Sequence, residues 1–207
     1  MYKDLSKKIR DLTIELTEIE SIVGTKGEIH IVEKIYEKFT HMKYFKYHPN
    51  LVKFVDVIND PLNRKSLLAV VKGEKGNSKK TVILIGHTDT VGISDFGTIK
   101  EYATKPLELR DKLKTINLPE NALKDLESGE YLFGRGIFDM KCGVSILMAI
   151  VEFLSDNVKA LEGNIVFAAV CDEEGNSGGM LSVVHELIKL KEKEGFEYQA
   201  LIDADYM

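Results

Sequence analysis

Cysteine is scarce in this sequence. Cys142 and Cys171 are the two present among 207 residues, too few for a disulfide framework. The plain reading is two small buried thiols, each beside a candidate site. Long apolar runs are missing too, since none reaches the roughly 18 residues that a membrane helix needs. The N-terminus, Met1-Tyr-Lys-Asp-Leu-Ser-Lys-Lys, lacks the apolar centre of a signal peptide. These absences predict a soluble, cytoplasmic protein with no membrane partner. Excess positive charge is likewise lacking: 28 Lys and Arg stand against 33 Asp and Glu, a net charge of −5. Nucleic acid and acidic membrane surfaces are therefore not expected partners. Lys7-Lys8 and Lys79-Lys80 read as solvated surface. What remains is ordinary for a soluble globular chain, 44% hydrophobic and 29% charged, and long enough for one large domain with a substantial core.

Taken in order, Leu5, Ile9, Leu12, Leu16 and Ile19 recur at helical spacing, predicting an amphipathic helix. A second follows Gly24-Thr-Lys-Gly27, through Ile31, Val32, Ile35 and Phe39. Phe54–Ile58 and Leu67–Val71 read as strands on either side of a turn at Asn59–Asn63. Val82–Ile85 has no polar residue, as expected of a strand covered on both faces. Between 92 and 130 the character changes, and 111–128 is mostly polar and broken by Pro119; this is read as a surface excursion with short helical pieces, not a domain of its own. A buried helix is expected at about 141–155, a buried strand at Ile165–Val170, and a helix from Ser177 to about Glu194, with Met180, Val184, Leu187 and Ile188 on one face. Ala200–Ile202 begins a last strand. Strands alternating with helices in the second half indicate an α/β fold with a largely parallel sheet.

Ligand sites on such sheets gather beyond the carboxyl ends of the strands, and the polar constellations here follow that rule. His87 and Asp89 come after Val82–Ile85; Asp172, Glu173 and Glu174 come after Ile165–Val170; Asp203 and Asp205 close the last strand. Between them, Gly134-Arg-Gly-Ile-Phe-Asp-Met-Lys-Cys-Gly143 places Asp139 on a glycine-lined loop before a buried helix. A buried carboxylate needs a partner, and a metal is one. One imidazole with several carboxylates suits zinc, with cobalt and manganese as competitors.

Three segments, Gly86-His-Thr-Asp-Thr-Val91, Gly134–Gly143 and Asp172-Glu-Glu-Gly175, occur in the order found in a known family. The chain resembles the co-catalytic zinc metallopeptidases that include aminoacylase, glutamate carboxypeptidase and succinyl-diaminopimelate desuccinylase (metallopeptidase family 20), over about residues 5–207. Within that family the long excursion and the stretch from Asp172 to Met180 are most similar to the arginine-utilisation branch. The resemblance implies a three-layer α/β sandwich with a mostly parallel mixed sheet, of the phosphorylase/hydrolase-like zinc-peptidase type. It also implies two divalent metals. His87 would bind the first, with Asp89 orienting its imidazole from behind. Asp139 would bridge both, Glu174 would bind the second, and Glu173 would be the general base. The first metal's other carboxylate would come from the last strand's end; family spacing favours Asp205, with Asp203 as the alternative.

Two family features have no counterpart in this sequence: a further metal-binding histidine, and an inserted lid domain that often forms a homodimer. The expectation is a partial catalytic domain over 1–207, an engineered piece or a naturally shortened gene product, inactive alone. The whole would hydrolyse an amide in a small peptide or N-acyl amino acid, in arginine or other amino-acid catabolism. A non-catalytic metal-binding or interaction module derived from the fold is the alternative. A magnesium-dependent phosphoryl-transfer enzyme built on Asp203 and Asp205 is disfavoured, because no Gly-Lys-Ser/Thr phosphate cradle occurs. His30, His41, His48 and His185 are given no functional role.

Overall fold

The computed structural model describes residues 2–205. Helices α1 (Tyr2–Thr17), α2 (Gly27–His41) and α3 (Lys43–Tyr47) precede strands β1 (Val52–Asp56), β2 (Lys65–Lys72) and β3 (Lys80–His87). The excursion carries α4 (Pro106–Leu113) and α5 (Glu120–Ser128). Helix α6 (Cys142–Asp156), strand β4 (Asn164–Val170), helix α7 (Gly178–Glu194) and strand β5 (Glu197–Asp203) complete the fold. None of the described helices is long and apolar enough to cross a membrane.

The five strands form one sheet in the order β1-β2-β4-β3-β5. β3 pairs in parallel with β4 and β5, whereas β2 is antiparallel to both β1 and β4. All the strands except β2 therefore run in one direction, and their carboxyl ends share one edge. Alternation along β2 and β4 sorts side chains between two layers. Leu67, Ala69, Val71, Phe167 and Ala169 pack under α1, α2, α3 and α6. Leu68, Val70, Val166, Ala168 and Val170 pack under α7 with Val183 and Leu187. The result is the expected three-layer mixed α/β sandwich. Phe167 is fully buried and stacks on Phe39 of α2 with ring centroids 4.9 Å apart; burying each such side chain is worth about 1.5–3 kcal/mol.

The details depart from the sequence reading in several places, and the last strand begins at Glu197, three residues before Ala200. The first strand lies two residues earlier than expected, at Val52–Asp56. Val57 instead begins a tight turn in which its N–H meets the Arg64 carbonyl, and Asn59 and Asn63 take positive φ. The short helix α3, with Tyr44 and Phe45 buried, was not anticipated. On α7 the buried stripe is Gly179, Ser182, Val183 and Leu187, and Val184 and Ile188 are exposed. The excursion closes on a small apolar cluster of its own, made by Ile99, Leu109, Leu113 and Leu126.

Candidate metal centre

The site grows from the parallel edge. His87 is the last residue of β3 and pairs with Val170, the last of β4. After it, Thr88 donates its N–H to the Val170 carbonyl at 2.8 Å, and the Ser21 hydroxyl donates to the Thr88 carbonyl at 2.7 Å. Val23 N–H then reaches the Thr90 carbonyl at 2.9 Å. The turn carrying Asp89 is thus held between β4 and the segment that joins α1 to α2. The glycine loop arrives from the other side. A Cβ at Gly143 would lie 2.4 Å from the Ala204 carbonyl oxygen, so only glycine lets the start of α6 press against the segment bearing Asp203 and Asp205.

His87 is buried, and its Nε2 points at Asp139 Oδ1, 2.7 Å away. Asp205 Oδ2 is 3.7 Å from the same nitrogen and Glu173 Oε2 is 4.0 Å from it. The ligand atoms of His87, Asp139 and Asp205 all lie within 4.8 Å of one another. Nδ1 donates to the Asp89 carbonyl at 3.0 Å, which leaves Nε2 as the atom that faces the carboxylates. Burial works against the imidazolium, but Asp89, Asp139 and Glu173 together outweigh it, so the proton affinity of His87 is raised above the ordinary value. Burial, and then the Asp139 carboxylate, raise Glu174 above the usual range. One imidazole nitrogen and two carboxylates aimed at a common point is a donor set that fits a divalent ion of the zinc type.

The Asp89 carboxylate is fully buried and stands 3.8 Å from Nδ1 of His87. Its oxygens instead accept the backbone N–H groups of Glu173, at 3.1 Å, and Glu174, at 2.9 Å. Asp89 therefore ties the two glutamates to the histidine turn. Asp203 lies within β5 beside Ile85; the aspartate brought to His87 is Asp205. His185 is on the surface, its Nδ1 donating to the Leu181 carbonyl at 2.8 Å within α7, and His41 makes the same local contact with Glu37 at 2.7 Å.

Sequence reasoning overlooked Lys141, two residues after Asp139. It is 1% exposed, and its ammonium donates to the Ile19 carbonyl at 2.8 Å, fastening the glycine loop to the end of α1. Burial pushes its pKa down to about 7, against the pull of Asp89 and Glu20. Its position among glycines and apolar residues was the available signal. Glu28 and Arg64, also buried near the site, carried no local signal at all.

Residues 83–206 match the description of Peptidase family M20/M25/M40. Protein RocB of Bacillus subtilis (strain 168) is 36% identical over 202 residues, which is 98% of this chain and 36% of that protein. The uncharacterized protein YqjN of the same organism is 39% identical over 200 residues, covering 95% and 35% respectively. The chain thus spans little more than a third of the length of these curated relatives. Among solved structures, the di-peptidase Dug1p from Saccharomyces cerevisiae superimposes with a TM-score of 0.66 at 16% identity, over 98% of this chain and 39% of that one. The family match over 83–206 takes in His87, Asp139, Glu173, Glu174 and Asp205: the chain belongs to peptidase family M20/M25/M40.

Proposed function

We propose that this chain carries the catalytic edge of a metal-dependent hydrolase that cleaves an amide bond in a small substrate, a dipeptide or an N-acyl amino acid, in cytoplasmic amino-acid catabolism such as arginine utilisation. The observation that supports it best is the convergence on His87 Nε2 of Asp139 at 2.7 Å, Asp205 at 3.7 Å and Glu173 at 4.0 Å. His87, Asp139 and Asp205 would hold one divalent ion, zinc before cobalt or manganese; Asp139 and Glu174 would contribute to a second. Such ions supply Lewis acidity towards a carbonyl and a water acidified to near neutrality. The chain's own part is positional and protonic. Glu173, half-exposed at the rim, takes the proton of the attacking water and delivers it to the departing amine. Asp89 holds the backbone of that glutamate.

The 207-residue chain by itself is expected to bind metal but turn over poorly, because the two ligands offered to a second ion are fewer than the three usual for catalytic zinc. Hydrolysis is therefore best measured in a polypeptide of the relatives' length containing this sequence. There, Glu173→Gln should lower kcat by about 10²–10⁴-fold with metal content unchanged, since an amide of the same size cannot accept the proton. Turnover within a few-fold of the parent would sink the assignment. Metal binding without hydrolysis of any dipeptide or N-acyl amino acid would favour a non-catalytic metal-binding module.

A further inference from the structure

Arg64, 7% exposed, stands at the entrance to β2 and engages three carboxylates, one four residues before it and two from distant parts of the chain. Its Nε and Nη2 fork onto Asp60 at 3.1 and 2.9 Å. Its Nη1 donates to Asp172 Oδ1 at 2.6 Å and to Glu28 Oε2 at 3.1 Å. Glu28 is fully buried at the start of α2, and Oε1 accepts the Asp172 N–H at 2.8 Å, while Oε2 accepts the Gly24 N–H at 2.7 Å. Each of these partners is a donor, so both Glu28 oxygens act as acceptors. Asp172 in turn accepts the Gly178 N–H at 3.1 Å through Oδ2, and its carbonyl accepts the Ser177 N–H at 2.6 Å. The segment 172–178 is therefore wrapped around the Asp172 carboxylate. A Cβ at Gly175 would come within 2.6 Å of Asp172 Oδ1.

One guanidinium against three buried carboxylates is a costly arrangement, and such clusters are weak evidence for stability alone. What this one does is geometric. Asp172 is the residue before Glu173, and it sits at φ +64°, so any rotation there re-aims the next side chain. The backbone of Glu173 and Glu174 is pinned by Asp89 on one side and reached through Asp172 on the other. Glu28 joins that second support to Gly24, next to the segment whose Val23 N–H is bonded to Thr90.

We propose that Glu28, Arg64 and Asp172 form a positioning relay that holds the Glu173–Glu174 turn against Asp89 and so aims Glu173 at the site. All three are buried, and the catalytic half of the inference rests on the hydrolase reading above. The first test needs no activity: amide hydrogen exchange in the 207-residue chain. Glu28→Gln keeps the shape but turns an N–H₂ towards donors, and it should speed exchange at the Glu173 and Glu174 amides about tenfold or more. Phe196→Leu, buried at the opposite end of β5, serves as a control for global destabilisation and should leave those two amides as they were. Asp172→Asn, which weakens the same turn from its other end, gives the same readout if Glu28→Gln fails to fold. Unchanged exchange at both amides, or equal acceleration in Phe196→Leu, would overturn the relay. In the hydrolysing polypeptide, a misaimed base should cost about 10–10² in kcat with KM little changed, and Glu28→Gln should add nothing to Glu173→Gln. An additive loss would overturn positioning through Glu173. Absence of hydrolysis in the parent would overturn the hydrolase reading, while the exchange result still decides the relay.

Discussion

At the scale of single residues, the two thiols are set apart by their surroundings. Cys171 directly follows β4 and is fully buried; its Sγ lies 3.7 Å from the Ser66 hydroxyl, and burial pushes its pKa up to about 12. Because the thiolate is the reactive form, Cys171 should resist alkylation at pH 8 in the native state. Cys142 is partly exposed at the start of α6 and should be modified first. Peptide mapping after brief iodoacetamide treatment should find Cys142 labelled and Cys171 not, with both labelled in urea. Native labelling of Cys171 at a similar rate would show that the end of β4 opens readily. The same reasoning separates Asp139 from Lys141: the first is accessible enough to meet an ion, and the second is spent on the Ile19 carbonyl.

At the scale of elements, the excursion behaves as a small folded unit laid on the sandwich. Leu109 of α4 is fully buried among Ile99, Leu113 and Leu126, with Phe96, Tyr102, Leu118 and Phe133 packed around them. Leu109→Ala should cost roughly 2–5 kcal/mol locally, seen as faster amide exchange in α4 and α5 while β2 and β4 stay protected; uniform acceleration across the sheet would mean that the excursion and the sandwich unfold as one. Its polar surface hid this cluster, since four apolar contacts spread over 99–126 make no continuous period. Strands β2, β3 and β4 were legible because burial on both faces leaves uninterrupted apolar runs, such as Leu67–Val71. The apolar stripe of α7 was harder to place: neighbouring apolar residues at 183, 184, 187 and 188 allow two faces about one residue apart, and only packing under the sheet selects Val183 and Leu187. The site's ligand candidates were legible as short polar interruptions at strand ends and, for Asp139, as a lone carboxylate in the glycine loop before α6. The supporting relay was not. Glu28 reads locally as an ordinary acidic residue in the first turn of a helix, and its partner Asp172 lies 144 positions away.

At the scale of the whole molecule, the fold gathers Asp89, Asp139, Glu173, Glu174 and Asp205 around one imidazole, within a chain whose net charge is already −5. Holding like charges together opposes folding, and a cation bound only by the folded state relieves it. At 100 times the dissociation constant such binding adds about 2.7 kcal/mol, which for a chain of this size is a rise in Tm of about 5–10 °C. Zinc should therefore raise the melting temperature of the 207-residue chain, and Asp139→Ala should abolish the rise, whereas Glu173→Gln should keep it. The effect should also depend on pH in a defined direction. In the free protein the neighbouring carboxylates raise the proton affinity of His87 above its ordinary value, and an ion at Nε2 must displace that proton. Lowering the pH through the raised pKa strengthens the competing proton, so the zinc-induced shift should shrink between pH 8 and pH 6. Differential scanning fluorimetry at the two pH values measures it. A shift of equal size at both, or one that survives Asp139→Ala, would place the ion somewhere other than the carboxyl ends of β3, β4 and β5.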